Sequence, residues 1–597
     1  MKSWIALAAI VAAGAAAVVV GERQKIDTPA SPQALLHFVG DTQQELTRLP
    51  MRLTRLSDDE EIRIGNELAR AYGVGWKPEG RNEDEEEYRA VQAYVDQVGA
   101  RVAGQAHRRL PYRFHYVPSE WLVNAFALPG GHVVLGAGLL SLMDSEDELA
   151  AVLGHEIEHV DLGHCAERVQ VQAGLRKLNL GAIGDLLSLP VGIFQAGYSK
   201  EQELAADREG TGLAVAAGYS PLGAVRMFET FQRLYEQRQA PAKSPQQELS
   251  QMALQTLDGY FRSHPASAER IRQIDSLIAE RRWNVNRQET DLGVGYIFWS
   301  RQAGRQLSSH QYEKALGLAK RSLQLKAGYL PALLVWSDAS YYSANFLDAA
   351  GGYRRILETD VAPATARLYA AALAAAAVRG RAVRDYSAWL NANPSLQSDP
   401  EFTLELAGLK LLAGDDSAAR KIGDDVRTHP EPLGRLGWWY YRAGRPEEAN
   451  RLLAVAVQQR PQFATLQMGL GWVLVERRQL EDALQRFGRG ESNCERTVPD
   501  AARESPAWPR SGRANLNGEC DAEAHMGKAV AWWLSHDVPM AVGAFSSAAA
   551  EQPSWLNPQW VAGTQPPLVA RSVAELQAER EKEMREAQKR AQANAAR

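Results

Sequence analysis

The stretch Leu153-Gly154-His155-Glu156-Ile157-Glu158-His159-Val160 decides how the first half of this 597-residue chain is read. Residues four apart on a helix share a face, so His155 and His159 stand side by side with Glu156 next to them. Two neutral imidazoles at that spacing grip one metal ion. A third protein ligand completes the grip, and the fourth position is left for a water whose pKa the metal lowers. A carboxylate beside that water takes its proton during attack on an amide and passes it to the leaving amine, which is the role assigned to Glu156. The pattern predicts one zinc ion on a helix over residues 144–170, with Ser145 as N-cap.

The third ligand sets the class. In the pattern H-E-x-x-H-x-x-G-x-x-H a third His would stand at position 165, which is Cys165, and Gly163 and His164 both miss the required places. The candidate lies instead in Ser199-Lys200-Glu201-Gln202-Glu203-Leu204-Ala205-Ala206-Asp207-Arg208. Glu203 and Asp207 share a helical face. Glu203 is expected to reach the metal, and Asp207 to hydrogen-bond a ligand His and fix its tautomer.

Further motifs follow in order: Leu56-Ser57-Asp58-Asp59-Glu60-Glu61-Ile62-Arg63-Ile64-Gly65, Asn124-Ala125-Phe126-Ala127-Leu128-Pro129-Gly130-Gly131, Gly138-Leu139-Leu140, and His264-Pro265 with Arg270. With them, residues 50–285 resemble the zinc metallopeptidases related to the CAAX prenyl endopeptidase and a membrane heat-shock protease. The resemblance implies a compact helical peptidase domain with a small β-sheet. It matches His164 to a position where the family commonly carries a His, and Glu203 to Asp207 to its E-x-x-A-D. It gives His264 and Arg270 a role at the site. Either His264 donates to the oxyanion with Arg270 holding its loop, or His264 occupies the open zinc position as a plug. Family members with C-terminal repeats work in the periplasm on β-barrel assembly, which implies envelope substrates. Glu158 departs from the family pattern, which is usually small or apolar there.

The coarse reading places a helix at 58–72, another at 86–105 and a strand near 112–117. Residues 122–136 read as a hairpin turning at Pro129-Gly130-Gly131. Its first arm is expected to accept an extended substrate peptide as an added strand, with Asn124, Ala125 and Phe126 at the cleft. The apolar run at 178–196 reads as core or active-site cover.

At 45% hydrophobic and 23% charged, the chain is long enough for two or three globular domains. A net charge of −5 with scattered basic residues gives no case for nucleic acid. Residues 1–21 read as a secretory signal or a retained membrane anchor, so the body is expected to be exported to the periplasm, with membrane contact through that end. Residues 22–49 read as a linker. Cys165 is expected to be a buried, inert thiol. Cys494 and Cys520, in a segment at 491–520 without periodicity, are expected to pair as a disulfide in an oxidising compartment.

The second half repeats. Alanines at 315, 349, 382, 418, 449, 483 and 541 are spaced by 34, 33, 36, 31, 34 and 58 residues, each followed by a large or apolar residue four on. Such a period resembles tetratricopeptide repeats, helix pairs of about 34 residues. Residues 288–570 are therefore expected to form an α-helical superhelix that binds partner proteins or peptides. Residues 571–597 read as a charged, exposed tail. The combined expectation is a mainly α protein: an exported zinc endopeptidase of envelope quality control joined to a repeat scaffold that binds envelope proteins, including β-barrel assembly machinery. The other reading is a repeat scaffold or chaperone with a latent or vestigial metal site.

Overall fold

The computed structural model describes residues 56–71, 82–175, 198–239, 268–376, 379–494 and 516–595. The N-terminal segment, the 178–196 run and His264 lie outside them. Two compact units meet in sequence between Gly295 and Tyr296. The first unit extends beyond residue 285 because Glu146 N donates to Thr290 O and Leu292 N to Asp144 O, at 2.9 and 3.2 Å.

In the first unit α1 (Asp58–Ala71) starts at Ser57, whose hydroxyl accepts from Glu60 N while Glu60 accepts from Ser57 N. After α2 (Asn82–Ala103) come β1 (Arg113–Val117), β2 (Ala125–Leu128) and β3 (His132–Gly136), with a 3-10 turn at Pro129–Gly131. The sheet order is β1-β3-β2, with β1 parallel and β2 antiparallel to β3. β2 is thus an edge strand among the described residues. Phe126 does not line a cleft: it packs with Ile64, Leu68, Leu128, Val134, Val169 and Ala173 in the core. The one-residue alternation of a strand sends it to the face that α1 covers.

After the short α3 (Ala137–Leu140), α4 (Glu146–Asp161) carries the His-Glu motif. Its N-cap Ser145 and Glu148 form a capping box. Instead of one helix to residue 170, the chain breaks at Gly163, whose φ of 78° is the left-handed conformation that ends helices. It restarts as α5 (His164–Leu175), followed by α6 (Lys200–Ala216), α7 (Leu222–Gln239) and α8 (Ala268–Arg281). Every residue from Asp147 to Asp161 is buried, so α4 is the central helix of this unit.

The second unit contains seven helix pairs among the described residues. They are α9 (Gly295–Ser308) with α10 (Tyr312–Leu325), α11 (Leu330–Tyr342) with α12 (Phe346–Leu357), and α13 (Pro363–Ala375) with α14 (Arg379–Asn391). Next come α15 (Pro400–Leu412) with α16 (Ser417–Asp425), and α17 (Pro430–Arg442) with α18 (Pro446–Gln459). The last two are α19 (Ala464–Glu476) with α20 (Leu480–Cys494), and α21 (Leu516–Leu534) with α22 (Val538–Glu551). The anchoring alanines sit in the first turn of each second helix and are buried at 315, 349, 382, 449, 483 and 541. In α16 the buried alanine is Ala419, and Ala418 is only partly buried. The Ala418-Ala419 doublet lets the alignment slip by one.

Six of the turns inside the pairs are built alike. His310, Ala344, Gly414, Gly444, Arg478 and His536 have positive φ, each followed by a backbone bond reaching back five residues, such as Asn345 N to Ser340 O at 2.8 Å. Cys494 and Cys520 form a disulfide, and both lie on helices, α20 and α21, rather than in an irregular insertion. α23 (Pro558–Thr564) precedes α24 (Pro567–Ala595). The first turns of α24 are packed, with Val569, Ser572, Val573 and Leu576 buried, so a tail beginning at 571 cuts through an integrated helix. Only from residue 581 onward is that helix continuously exposed.

Candidate active site

α4 and α6 cross at two glycines. A Cβ on Gly154 would fall 2.5 Å from the Gly210 carbonyl oxygen, so the helix backbones touch where neither residue has a side chain. That approach brings Glu203 and Asp207, two turns and one turn before Gly210, against the face bearing His155 and His159. Ser199 caps α6 through a capping box with Gln202, which fixes where Glu203 enters.

The side chains converge. His155 Nε2 and His159 Nε2 are 3.1 Å apart. Glu203 Oε2 lies 3.6 Å from His155 Nε2, and Glu203 Oε1 lies 3.5 Å from His159 Nε2. All three residues are buried, and their donor atoms lie within 4.8 Å of one another. Two imidazole nitrogens and one carboxylate turned toward a single point fit a divalent metal ion. Glu156, also buried, follows His155 on the same helix.

The ligands are held from behind. His155 Nδ1 is 2.9 Å from Asp207 Oδ1, so Nδ1–H donates there and Nε2 keeps its lone pair for a metal. Arg270 Nε and Nη2 donate to Asp207 Oδ2 and Oδ1, both at 2.6 Å, and Nη2 lies 3.3 Å from Glu203 Oε2. Arg270 rests on the Phe228 ring at 4.5 Å. It therefore grips the carboxylate that orients His155; the loop carrying His264 lies outside the described residues. Asp207 and Arg270 are positioning residues, not groups aimed at substrate. Burial opposes a charge on Asp207, but the Arg270 guanidinium outweighs it and holds the carboxyl below its ordinary range. Burial also opposes protonation of His155. The Asp207 hydrogen bond and the Glu203 charge outweigh it and raise that imidazole. Burial drives His159 well below its usual value, keeping it neutral.

On the other side His159 stacks on Tyr198 at 3.8 Å, and Arg168 covers that ring at 3.7 Å. His159 Nδ1 is 3.1 Å from His164 Nδ1, which the break at Gly163 brings round. Tyr198 OH meets Cys165 Sγ at 3.3 Å, and burial pushes that thiol up to about 12, an inert state. Tyr198 and the Gly154–Gly210 crossing escaped the sequence reading. Gly210 was legible in principle, three and seven residues after Asp207 and Glu203 on the same face.

Asn124 and Ala125 are buried at the start of β2, and His264 falls outside the described residues. Glu158 is not among the three ligands and is fully buried. Burial, then the charges of Asp161 and Glu209, push it up to about 8.

A His-Glu-x-x-His helix crossed by a Glu-bearing helix defines a metallopeptidase centre, and residues 89–278 match peptidase family M48. Over that stretch the first unit is similar to the M48 peptidases. Metalloprotease LoiP of Escherichia coli (strain K12) is 32% identical over 163 residues, 26% of this chain and 57% of that protein. The beta-barrel assembly-enhancing protease of Yersinia pestis is 32% identical over 172 residues, 26% of this chain and 34% of that protein. A putative protein of the same name from Vibrio cholerae is 31% identical over 170 residues, again 26% and 34%. The matched region spans between about a third and somewhat over half of the length of these relatives. Among solved structures, the C-terminal part of a TPR repeat-containing protein from Cytophaga hutchinsonii covers 45% of this chain and all of its own, at 14% identity and a TM-score of 0.21. The repeat architecture rests on the helix pairs themselves.

Proposed function

We propose that the protein is a zinc-dependent endopeptidase of the cell envelope, exported to the periplasm, whose helical repeats select protein substrates. The observation that carries this reading is the convergence of His155, His159 and Glu203 beside Glu156. Two imidazoles and one carboxylate are the ligand set of catalytic zinc in peptidases. When bound, zinc would polarise the scissile carbonyl and acidify a water. Glu156 takes the proton from the attacking water and returns it to the leaving amine. Asp207 and Arg270 keep His155 in one tautomer and one orientation throughout. The names of two relatives refer to β-barrel assembly, which supports outer-membrane proteins or their assembly machinery as the substrate class. Seven helix pairs offer a surface for such partners.

The test is the isosteric Glu156→Gln. It should keep a full equivalent of zinc by elemental analysis and lose hydrolysis of an unfolded protein substrate by at least about 10²-fold. His155→Ala and Glu203→Ala should lose metal. A Glu156→Gln protein that cleaves at the wild-type rate would refute the assignment and leave a repeat scaffold with an idle metal site.

A further inference from the structure

Glu158 is fully buried, and neither of its carboxylate oxygens has a hydrogen-bond partner among the described residues. It is not one of the His155–His159–Glu203 ligands and lies on the side of α4 that carries Asp161 three residues on. There His107, Glu158 and Asp161 each bring a donor atom within 4.8 Å of the others. We propose that these three residues form a second divalent-cation site, separate from the peptidase centre, that ties the 107–108 loop to the end of α4.

Four observations support it. A carboxylate in this position is otherwise stranded, because a buried polar group without a partner costs about 1–3 kcal/mol, and more when charged. The loop is already aimed at the spot: His107 N and Arg108 N donate to Asp161 Oδ2 and Oδ1 at 2.8 and 2.6 Å, and His107 Nδ1 lies 3.1 Å from Oδ2. The nearby guanidinium does not neutralise Glu158. Arg108 spends its donors on Glu61 at 2.6 Å, Asp58 at 2.7 Å and Val160 O at 2.8 Å. Glu209 adds another negative charge facing Glu158, and the buried Tyr112 hydroxyl, also without a hydrogen-bond partner, lies within electrostatic range of Glu158 and Asp161. The His107 ring is 77% exposed, so a cation has an entry path from solvent. Two carboxylates with one imidazole suit Mn²⁺ or Zn²⁺ rather than a soft thiolate-seeking ion.

Full-length protein with its peptidase centre loaded with one equivalent of zinc is titrated with Mn²⁺, and free Mn²⁺ is read by electron paramagnetic resonance. One further saturable Mn²⁺ per chain is expected. Glu158→Gln and the solvent-exposed His107→Ala should each weaken it by more than the roughly 10–100-fold that outer-shell changes cost, with the zinc equivalent retained. His107→Ala leaves the interior untouched and so reports even if Glu158→Gln folds poorly. Absence of saturable Mn²⁺ binding, or binding that both variants leave unchanged, overturns the proposal and identifies Glu158 as a buried neutral acid.

Discussion

Gly154 and Gly210 meet backbone to backbone: a Cβ on Gly210 would lie 2.7 Å from both the Gly154 carbonyl carbon and the His155 amide nitrogen. Neither backbone can yield without moving a helix that bears metal ligands. The glycines thus set how far Glu203 stands from the two imidazoles.

Gly210→Ala should therefore act on the metal before it acts on the fold. Overpacking of this kind costs about 1–3 kcal/mol, and its relief requires α6 to shift away from α4. The expected result is a lowered melting temperature with a disproportionate loss of zinc affinity. Competition with a chromogenic chelator measures the affinity. Unchanged zinc binding in a destabilised protein would show that the crossing has slack.

The Arg270–Asp207 pair gives a second prediction. Removing Arg270 leaves the Asp207 carboxylate buried without its bidentate partner, a change worth about 3–5 kcal/mol. Arg270→Lys should rescue little, since an ammonium cannot donate in parallel to both Oδ atoms. Asp207→Asn keeps the shape but weakens the hold on His155 Nδ1, and should cost about 10–100-fold in metal affinity. Chemical denaturation and metal titration of the three variants test this. Arg270→Lys matching the wild type in both would remove the positioning role.

The ligands were legible because their spacing is local. His155 with His159, and Glu203 with Asp207, each sit one helical turn apart, and period alone places them on a face. Arg270 was legible only as part of a motif, since nothing local tells which buried carboxylate a guanidinium will find. The break at Gly163 was missed because the apolar pattern continues through Cys165 and Val169, and a single left-handed residue redirects the chain without disturbing it. Phe126 was misplaced because alternation tells that neighbours face opposite ways but not which way is inward. In the repeats the period was legible while the register at Ala418-Ala419 was not, because two adjacent small residues fit the same slot equally well from sequence.

A pH effect follows from the pair His115 and His132, which tie β1 to β3. His115 Nε2 lies 2.9 Å from His132 Nδ1, and His132 Nε2 lies 3.1 Å from Asn66 Oδ1. The chain of bonds is consistent if both rings are neutral, with His115 donating to His132 and His132 donating to Asn66. Burial first, then the Arg113 charge, lowers His115 to about 4. Burial, then the charges of His115 and Arg113, lowers His132 to about 4. In the unfolded chain both titrate near pH 6.5. The unfolded state thus binds protons between about pH 6.5 and 4 that the folded state refuses, and stability falls across that window as the pH drops. His115→Gln should flatten the fall, seen as a smaller difference between urea midpoints at pH 7 and pH 4.5. An unaltered difference would place the acid sensitivity elsewhere.

The last prediction concerns the edge strand. Gly136 N donates to Asn124 O at 3.0 Å, which puts Asn124, Phe126 and Leu128 in the set that bonds β3. Ala125 and Ala127 then turn their backbone groups to the outer edge, as Ala127 O does in accepting from Cys165 Sγ at 3.6 Å. An extended substrate added at that edge would take its first hydrogen bond from Ala125 N–H, and Ala125 is 0% exposed, so binding must uncover it. Ala125→Pro removes that donor while leaving the β2–β3 ladder its own bonds. Peptide hydrolysis should drop by about tenfold, the worth of one hydrogen bond near 1.4 kcal/mol, with zinc content unchanged and most of the melting temperature retained. Wild-type turnover in a normally metallated Ala125→Pro protein would show that substrate enters along another surface.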